Sequence, residues 1–228
     1  MNKKRSLGTL HMAANNIGIE KDTPVRALEA LKESALLIFE EAKGARKALK
    51  QAHIKKNFAL FNEHNQQDIL ELAKEHLQQG SDVCYMSDQG SPTLCDPGQG
   101  LTEMAFQIKA PIKVIPGPSS VTAAMSACPF PINDFFFTGL LPRKPEEKEK
   151  KIKHYLKLKT CLIILDTPYR RKQTLETFAN LMGAKTKAFL ALDISGENES
   201  YFLGTFKSLM EQTKDLGKLN FILIIKNN

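Results

Sequence analysis

Short apolar runs alternate with longer amphipathic segments along most of this chain. The runs are typical of buried strands, whereas the segments between them repeat apolar residues about every three or four positions, as helices do. Because strands and helices alternate, the pattern predicts an α/β fold with mainly parallel sheets. The predicted strands span residues 7–13, 36–39, 83–86, 112–115, 135–138, 161–165, 187–192 and 219–226. A Gly-Pro turn after the fourth of these strands marks the predicted boundary between two α/β domains, residues 1–116 and 117–228.

One predicted strand runs directly into a loop of small and turn-forming residues. After residues 83–86 the chain reads Ser87-Asp88-Gln89-Gly90-Ser91. Ligands of open α/β sheets bind at the carboxyl ends of the strands, so this loop is a candidate ligand site. Gly90 permits a positive φ or a close approach of another backbone. The alternative, a structural turn without a ligand, is equally consistent with the composition.

A second predicted strand leads into a turn and a helix of the same kind. Pro116-Gly117-Pro118 is followed by a helix made of Ser, Val, Thr, Ala and Met. Such a helix has no charged face, so we expect it to be buried against another backbone or a ligand. Ser119 and Ser120 lie where hydroxyl and free N–H groups meet a polar ligand group, and simple N-capping is the alternative.

The charge balance favours an anionic partner. Lys and Arg number 32 against 25 Asp and Glu, a formal net charge of +7. Residues 143–159 contain eight Lys or Arg and three Glu. This basic strip is a candidate for phosphate contacts with RNA. The alternative is a solvated helix in which the glutamates pair with neighbouring lysines.

Cysteines and histidines show no metal-binding pattern. The four cysteines, at positions 84, 95, 128 and 161, include no Cys-x-x-Cys pair, and the five histidines lack ligand spacing. We therefore expect core thiols in a reducing compartment and no bound metal. No apolar run reaches the roughly 18 residues of a membrane span, and the amino terminus lacks a signal-peptide pattern. These features predict a cytoplasmic protein without a membrane partner.

The order of the loop motifs is similar to that of a known family. Ser87-Asp88-Gln89-Gly90-Ser91-Pro92, followed by Pro116-Gly117-Pro118-Ser119, resembles the tetrapyrrole methylase superfamily of S-adenosylmethionine-dependent methyltransferases. Within it, the chain resembles the ribosomal RNA small subunit methyltransferase I group, whose loops read Ser-Asp-Ala-Gly-Thr-Pro and Pro-Gly-Pro-Ser. Residues 62–65, 137–144 and 166–170 are similar to three further motifs of that group. The chain ends just after its last predicted strand, so it resembles a short branch that lacks the group's C-terminal extension.

The resemblance implies a site as well as a fold. Two α/β domains are expected, with S-adenosylmethionine in the cleft between them, and the protein is expected to be a homodimer. The implied cofactor-binding residues are Asp88, Gly90, Ser91, Ser119, Ser120, Leu165, Asp166 and Leu192. The implied substrate-binding residues are Asn16, Glu63, Arg143, Lys144, Tyr169 and Arg170. Glu41 and His64 are the candidate catalytic residues, because a carboxylate or an imidazole can accept the acceptor's proton.

The resemblance also implies a methyl acceptor, the ribose 2′-hydroxyl of small-subunit ribosomal RNA. Two alternatives remain: methylation of a tetrapyrrole or another small molecule, and a non-catalytic S-adenosylmethionine-binding sensor or scaffold. Asn15-Asn16 stands where the ribosomal group usually has Thr-Pro. The absence of a Gly-x-Gly-x-x-Gly turn argues against a Rossmann-type methyltransferase or dehydrogenase.

Overall fold

The computed structural model describes residues 6–62, 64–94 and 98–227, which form two compact units divided between Ser119 and Ser120. The strands are β1 Leu10–Ala13, β2 Leu36–Phe39, β3 Ala59–Leu60, β4 Val83–Met86, β5 Ile112–Ile115, β6 Phe135–Phe137, β7 Cys161–Asp166, β8 Lys187–Leu192, β9 Ser200–Thr205 and β10 Phe221–Ile225. The helices are α1 Val25–Glu33, α2 Ala42–Gln51, α3 Gln66–Gln78, α4 Gln99–Gln107, α5 Ser120–Ala127, α6 Pro145–Leu156, α7 Arg171–Met182 and α8 Phe206–Gln212. Short 3-10 turns lie at Glu20–Asp22 and Pro168–Arg170.

The first unit is built on a parallel five-stranded sheet in the order β3-β2-β4-β1-β5. Strands β1, β2 and β4 are buried on both faces, as strands covered by helices on both sides are, whereas the edge strands β3 and β5 are partly exposed. Leu10 and Met12 of β1 face the core formed with α3 and α4, whereas Ala13 faces the core formed with α1 and α2. The expectation of a parallel sheet is confirmed for this unit.

The connections of the first unit reverse direction between two neighbouring strands. β1 is followed by α1, which packs on one face of the sheet through Ala27 and Leu31. The adjacent β4 is followed by α4, which packs on the opposite face through Leu101 and Met104. Right-handed crossovers that leave neighbouring strands in opposite directions open a crevice at the carboxyl edge of the sheet. The carboxyl ends of β1 and β4 are therefore the place in this unit where a ligand is expected.

The second unit contains a mixed five-stranded sheet in the order β6-β7-β10-β8-β9. β6 and β7 are parallel, whereas the pairs β7–β10, β10–β8 and β8–β9 are antiparallel. The expectation of a mainly parallel sheet was therefore wrong for this unit. Sequence analysis missed β9, whose residues are half-buried or exposed and produce no continuous apolar run. Pairing of β8 with β9 creates the antiparallel edge.

Two cores lie on either side of the second sheet. Helices α6, α7 and α8 cover one face, where Ile152, Phe178 and Phe206 are fully buried. Helix α5 covers the other face through Val121 and Ala124. Only this face of α5 is buried, since Thr122 and Ser126 are exposed. One face of a short helix suffices to pack on a sheet, and its small polar residues tolerate water.

The cysteines within the described residues are free thiols, as the sequence predicts. Burial raises the pKa of Cys84 to about 12 and that of Cys161 to about 11, so both stay protonated and unreactive near neutral pH. Cys95 lies outside the described residues. In the described ranges, no helix combines the length and the apolar character that crossing a bilayer requires.

Asp82 links the first strand of the first unit to the start of β4. The Thr9 N–H donates to its Oδ1 at 2.7 Å, and His11 Nε2 lies 3.3 Å from its Oδ2. Burial alone would raise the pKa of Asp82, but these two hydrogen bonds, with the positive charges of His11 and Lys113, lower it below its ordinary value of 3.8. The ionised carboxylate therefore stabilises the folded state.

We expect Asp82→Asn to reduce stability at neutral pH and to weaken the response to acid. Because the folded-state pKa is lower than the unfolded one, the stabilisation is complete above about pH 3.8 and disappears as the pH falls through the folded pKa. Thermal unfolding of both proteins from about pH 7 to about pH 3 tests this linkage. The difference in Tm should be largest at neutral pH and shrink in acid, and a constant difference would contradict the assignment.

Candidate functional site

The loops after β1 and β4 are hydrogen-bonded to each other at the carboxyl edge of the first sheet. The Asn15 N–H donates to the Gly90 carbonyl at 2.9 Å, and the Gly90 N–H donates to the Asn16 carbonyl at 3.3 Å. The buried Ser87 hydroxyl also donates to the Gly90 carbonyl, at 2.6 Å. The two loops therefore form one fixed backbone surface.

Gly90 has the conformation that the sequence predicts, with a φ of +69°. A residue with a Cβ is strained in this left-handed region. The loop after β5 adds a third wall. A Cβ on Gly117 would lie 2.8 Å from the Ala14 Cβ, and the Pro118 carbonyl lies 3.5 Å from the ideal Cβ position of Gly90. Glycines at 90 and 117 therefore let three loops converge at the switch point.

Asp88 is held in place through its backbone and is crowded by a neighbouring helix. Its N–H donates to the Glu40 carboxylate at 3.0 Å, and its carbonyl accepts from Asn15 Nδ2 at 3.1 Å. A Cβ on Gly44, in the first turn of α2, would lie only 2.3 Å from the Asp88 Oδ1. The Asp88 carboxylate therefore lies against α2, in a space that exists because residue 44 has no side chain.

The contacts of Glu40 and Gly44 with Asp88 were not predicted from the sequence. A glycine inside an otherwise good helix-forming segment, Lys43-Gly44-Ala45-Arg46, is a usable signal for a close approach. Its partner, however, lies 44 positions away and cannot be identified from local pattern.

Asn16 is buried in a network of side chains within the first unit. Its Nδ2 donates to Thr23 Oγ1 at 2.8 Å and to Asn15 Oδ1 at 3.0 Å, while its Oδ1 accepts from the Gly18 N–H at 3.2 Å. The Asn16 amide thus serves to shape the loop after β1. The substitution of Asn-Asn for Thr-Pro is explained by this network.

The two candidate catalytic residues lie at the same edge of the sheet on different strands. Glu41 is exposed at the N-terminal end of α2, directly after β2. His64 is exposed in the turn after β3, where its N–H donates to Asn62 Oδ1 at 3.0 Å. β3 lies two strands from β4, which corresponds to about 10 Å across the sheet. Glu63 lies outside the described residues.

Asp166 lies in a buried polar cluster of the second unit. Its carboxylate accepts from Thr174 Oγ1 at 2.9 Å and from the Thr167 N–H at 2.7 Å, and it forms an ion pair with Arg170. Lys148, only 1% exposed, donates to Thr174 at 2.9 Å. Burial lowers the pKa of Lys148, while the nearby Asp166 charge opposes that shift. We name Lys148, Asp166, Arg170 and Thr174 the α6–α7 polar cluster.

The α6–α7 polar cluster has an evident structural role. Arg170 donates to the Leu141 carbonyl at 2.8 Å and to the Pro142 carbonyl at 3.0 Å, so it fixes the loop before α6.

The other two residues of this unit that the resemblance implies for the cofactor lie on opposite faces of the sheet. Leu192 is fully buried in the core under α6, α7 and α8, whereas Leu165 packs on the opposite face of the sheet.

The basic strip of residues 143–159 is largely a solvated helix. Lys144 lies 3.1 Å from Glu147, and Lys153 lies 2.6 Å from Glu149. Lys148 faces the core rather than solvent. Arg143 and Lys144 are exposed beside this helix. Internal pairing therefore reduces the charge that the strip offers to an anion.

Tyr169, one of the substrate-binding candidates in the second unit, has 74% of its surface accessible. Lys218 Nζ lies 4.6 Å from the centre of its ring. The ring borders a cavity of about 310 Å³ that also contains Lys172 and Lys214. An exposed aromatic ring among cations is the kind of surface on which a nucleic-acid base stacks.

Comparisons with known proteins agree with this architecture. Residues 15–210 match the family of tetrapyrrole (corrin/porphyrin) methylases. Ribosomal RNA small subunit methyltransferase I of Thermotoga maritima is 29% identical over 95% of this chain and 98% of its own length. The protein of the same name from Mesomycoplasma conjunctivae is 30% identical over 94% of this chain and 90% of its own.

Solved structures show the same fold at lower identity. A diphthine synthase superposes with a TM-score of 0.74 at 13% identity, covering 96% of this chain and 89% of the other. Uroporphyrin-III-C-methyltransferase from Thermus thermophilus superposes with a TM-score of 0.64 at 17% identity, covering 96% and 95%. These two similarities concern the fold alone. Because the family match and the relatives span nearly the whole sequence, the chain belongs to the tetrapyrrole (corrin/porphyrin) methylase family and is a methyltransferase.

Proposed function

We propose that this methyltransferase uses S-adenosylmethionine and transfers the methyl group to RNA, at a ribose 2′-hydroxyl of the small-subunit ribosomal RNA. The observation that carries the proposal is the convergence of three loops around Asp88 and Gly90 at the switch point of the first sheet. The relatives named ribosomal RNA small subunit methyltransferase I support the acceptor.

The residues at this edge fit the chemistry of S-adenosylmethionine. The cofactor carries a sulfonium and an ammonium, which favour a carboxylate nearby, and a carboxylate, which accepts from hydroxyl and N–H donors. Asp88 supplies the carboxylate, and the half-buried Ser91 and Ser119 supply hydroxyls. Gly90 and Gly117 keep side chains out of the converging loops. We therefore assign Asp88, Gly90, Ser91 and Ser119 to the cofactor, with Ser120 beside them at the start of α5.

The protein's own task in the reaction is mainly to orient the two reactants. When bound, S-adenosylmethionine supplies an electrophilic methyl group on an excellent leaving group, so alignment with the acceptor oxygen provides much of the acceleration. Glu40 fixes the Asp88 backbone and keeps the cofactor loop rigid. The acceptor hydroxyl must still lose a proton, and Glu41 and His64 are exposed bases at this edge of the sheet.

Calorimetric titration and methyl transfer test the proposal together. Purified protein, checked for co-purified cofactor, is titrated with S-adenosylmethionine and S-adenosylhomocysteine. It is then incubated with radiolabelled S-adenosylmethionine and undermethylated small ribosomal subunits. We expect binding at one site per chain and label in the RNA. Cofactor binding without methyl transfer to RNA would show that RNA is not the acceptor. If a folded, cofactor-free sample bound neither compound, the assignment of S-adenosylmethionine as cofactor would be wrong.

Variants of Glu41 and His64 decide which residue acts as the base. Replacing the base by Gln at 41 or Asn at 64 should lower the methyl-transfer rate by roughly 100-fold or more, the usual contribution of general-base catalysis. Cofactor affinity should stay unchanged in the same variant, because neither side chain is assigned to the cofactor. Equal rates in both variants and the wild type would show that water accepts the proton.

We also propose that the enzyme is a cytoplasmic homodimer. β5 is an edge strand of the first sheet, and its Val114 is 64% exposed. Phe106 of the preceding helix is 75% exposed. Large exposed apolar side chains of this kind are common where a second subunit binds. Light scattering on the purified protein measures the mass, and a monomer at micromolar concentration would rule out a stable dimer.

A further inference from the structure

Helix α2 and the segment after it form the most one-sided charge distribution in the sequence. Residues 42–57 contain six Lys or Arg and no Asp or Glu, compared with eight against three in the basic strip of residues 143–159. The α2 segment therefore carries a larger net positive charge in fewer residues.

Part of this positive charge is exposed to solvent, because only one side of α2 packs on the sheet. Ala45, Ala48 and Leu49 are buried against the first sheet. These positions occupy one side of the helix, so Arg46 and Lys50, four residues apart, lie together on the exposed side. Their Cα atoms are separated by about 6 Å along the helix axis.

Two of the six cations already have partners in the fold. Lys47 lies 3.6 Å from Glu20. Lys56 donates to the carbonyls of Leu31 and Ser34, at 3.3 and 3.0 Å, and so caps the C-terminal end of α1. In the part of the chain that the structure describes, Arg46, Lys50 and Lys55 form no ion pair. These three residues line a groove of about 600 Å³ with Leu49, Ile54, Asn57 and the already partnered Lys56, and we name it the α2 groove.

Helix α2 contributes residues both to the candidate site and to the α2 groove. Gly44, in the first turn of α2, lies against the Asp88 carboxylate, and the whole helix is ten residues, or about 15 Å, long. A strand of RNA whose acceptor nucleotide lies at the carboxyl edge of the sheet would meet Arg46 and Lys50 on the helix and then Lys55 just after it. A series of cations along one groove suits the repeated phosphates of such a strand.

We propose that the α2 groove binds the phosphate backbone of the RNA acceptor next to the methylated nucleotide. This inference rests on the proposed RNA methyltransferase activity and names the surface that holds the substrate. Among the described residues, none of the large apolar side chains exposed to solvent comes from residues 42–57. A membrane surface, the other extended anion, is usually bound by helices that also insert apolar side chains. The chemistry of the groove therefore favours RNA.

Two triple variants with the same charge change test the proposal. Arg46→Ala/Lys50→Ala/Lys55→Ala removes the groove cations, and Lys150→Ala/Lys151→Ala/Lys157→Ala removes three exposed cations of the α6 region. Each variant lowers the formal net charge from +7 to +4. Binding of protein-free small-subunit ribosomal RNA is measured by fluorescence anisotropy over a range of salt concentrations. S-adenosylmethionine binding is measured by calorimetry in parallel, as a test of folding.

We expect the groove variant to bind RNA at least about tenfold more weakly at low salt. Its log–log salt slope should fall by about 2, since each lost phosphate contact on a single strand contributes about 0.7. The α6 variant should keep most of the affinity and slope, and both variants should keep their cofactor affinity. Equal losses in the two variants, or a loss confined to the α6 variant, would overturn the inference.

The outcomes also distinguish this inference from the proposed function. If the wild type methylates RNA and the groove variant binds RNA normally, the function stands and the groove assignment is wrong. If RNA binding depends on the groove but no methyl group is transferred to RNA, the groove assignment stands and the acceptor is wrong. A wild type that does not bind RNA at any salt concentration overturns both.

Discussion

Gly44→Ala is expected to weaken S-adenosylmethionine binding by roughly 10- to 100-fold, the equivalent of losing one hydrogen bond to a charged group. The new Cβ would lie 2.3 Å from Asp88 Oδ1 and 2.9 Å from Asp88 Cγ, too close for either atom to stay in place. The Asp88 backbone cannot retreat easily, because Glu40 and Asn15 hold its N–H and carbonyl. The carboxylate must therefore rotate away from α2 and out of its position in the proposed cofactor site.

Calorimetry on a folded variant measures this effect. Alanine at position 44 also raises helix propensity by about 1 kcal/mol, so weaker binding cannot be attributed simply to a less stable helix. Gly100→Ala is the matched control. Gly100 is likewise a helical glycine, but its Cβ would meet the mobile end of Gln66 at 3.0 Å. We expect the control to bind S-adenosylmethionine normally. Normal binding by Gly44→Ala would show that Asp88 is not part of the cofactor site.

Asp166→Ala is expected to destabilise the second unit by about 3–5 kcal/mol, the usual cost of leaving a buried charge without its partner. The Asp166 side chain is fully inaccessible, and Lys148 is 1% exposed. Removing the carboxylate leaves Thr174 without its acceptor and both cations without their counter-charge. Arg170 would also lose the group that orients it toward the Leu141 and Pro142 carbonyls.

Chemical denaturation of three variants tests the role of the α6–α7 polar cluster. Asp166→Asn keeps the size and one acceptor oxygen, so its cost should be smaller than that of Asp166→Ala. Lys148→Met removes the buried ammonium but leaves the Asp166–Arg170 pair, and it should cost less still. Wild-type stability in Asp166→Ala would contradict a structural role. A loss of cofactor affinity in a fully folded Asp166→Asn would instead support the role that the family resemblance implies.

Patterns along the chain were sufficient to predict the parallel sheet of the first unit. Strands β2 and β4 are buried on both faces and appear as uninterrupted apolar runs, and a glycine lies within the loop after β4. A positive φ was one of the two features expected of Gly90, and the structure has it. The family could be recognised for the same reason, because its motifs are these loops in a fixed order.

The second sheet shows where local pattern fails. β9 pairs with β8 across an exposed edge, and its half-buried residues have the polarity of a loop. The strand therefore depends on its neighbour for hydrogen bonds and not on its own composition. The same limit applies to α5, whose small residues indicate a helix but not which side of it faces the sheet.

Charge provides the clearest case of a property that only packing decides. In the sequence, Lys148 looks like any other lysine of a basic helix. In the structure Lys148 is buried against Thr174, and Lys144 and Lys153 pair with glutamates. Among the described residues, Arg46, Lys50 and Lys55 form no ion pair and line one groove.

The sequence by itself determined the family, the α/β class and the loops that form the candidate cofactor site, since these depend on local runs, turn residues and their order. Tertiary structure decided which polar residues support the fold and which face solvent. Asp166 is held inside the second unit, while Asp88 lies at a sheet edge against a glycine 44 positions earlier. Such distinctions arise because burial and close approach depend on residues distant in sequence, and no short window along the chain contains both Gly44 and Asp88.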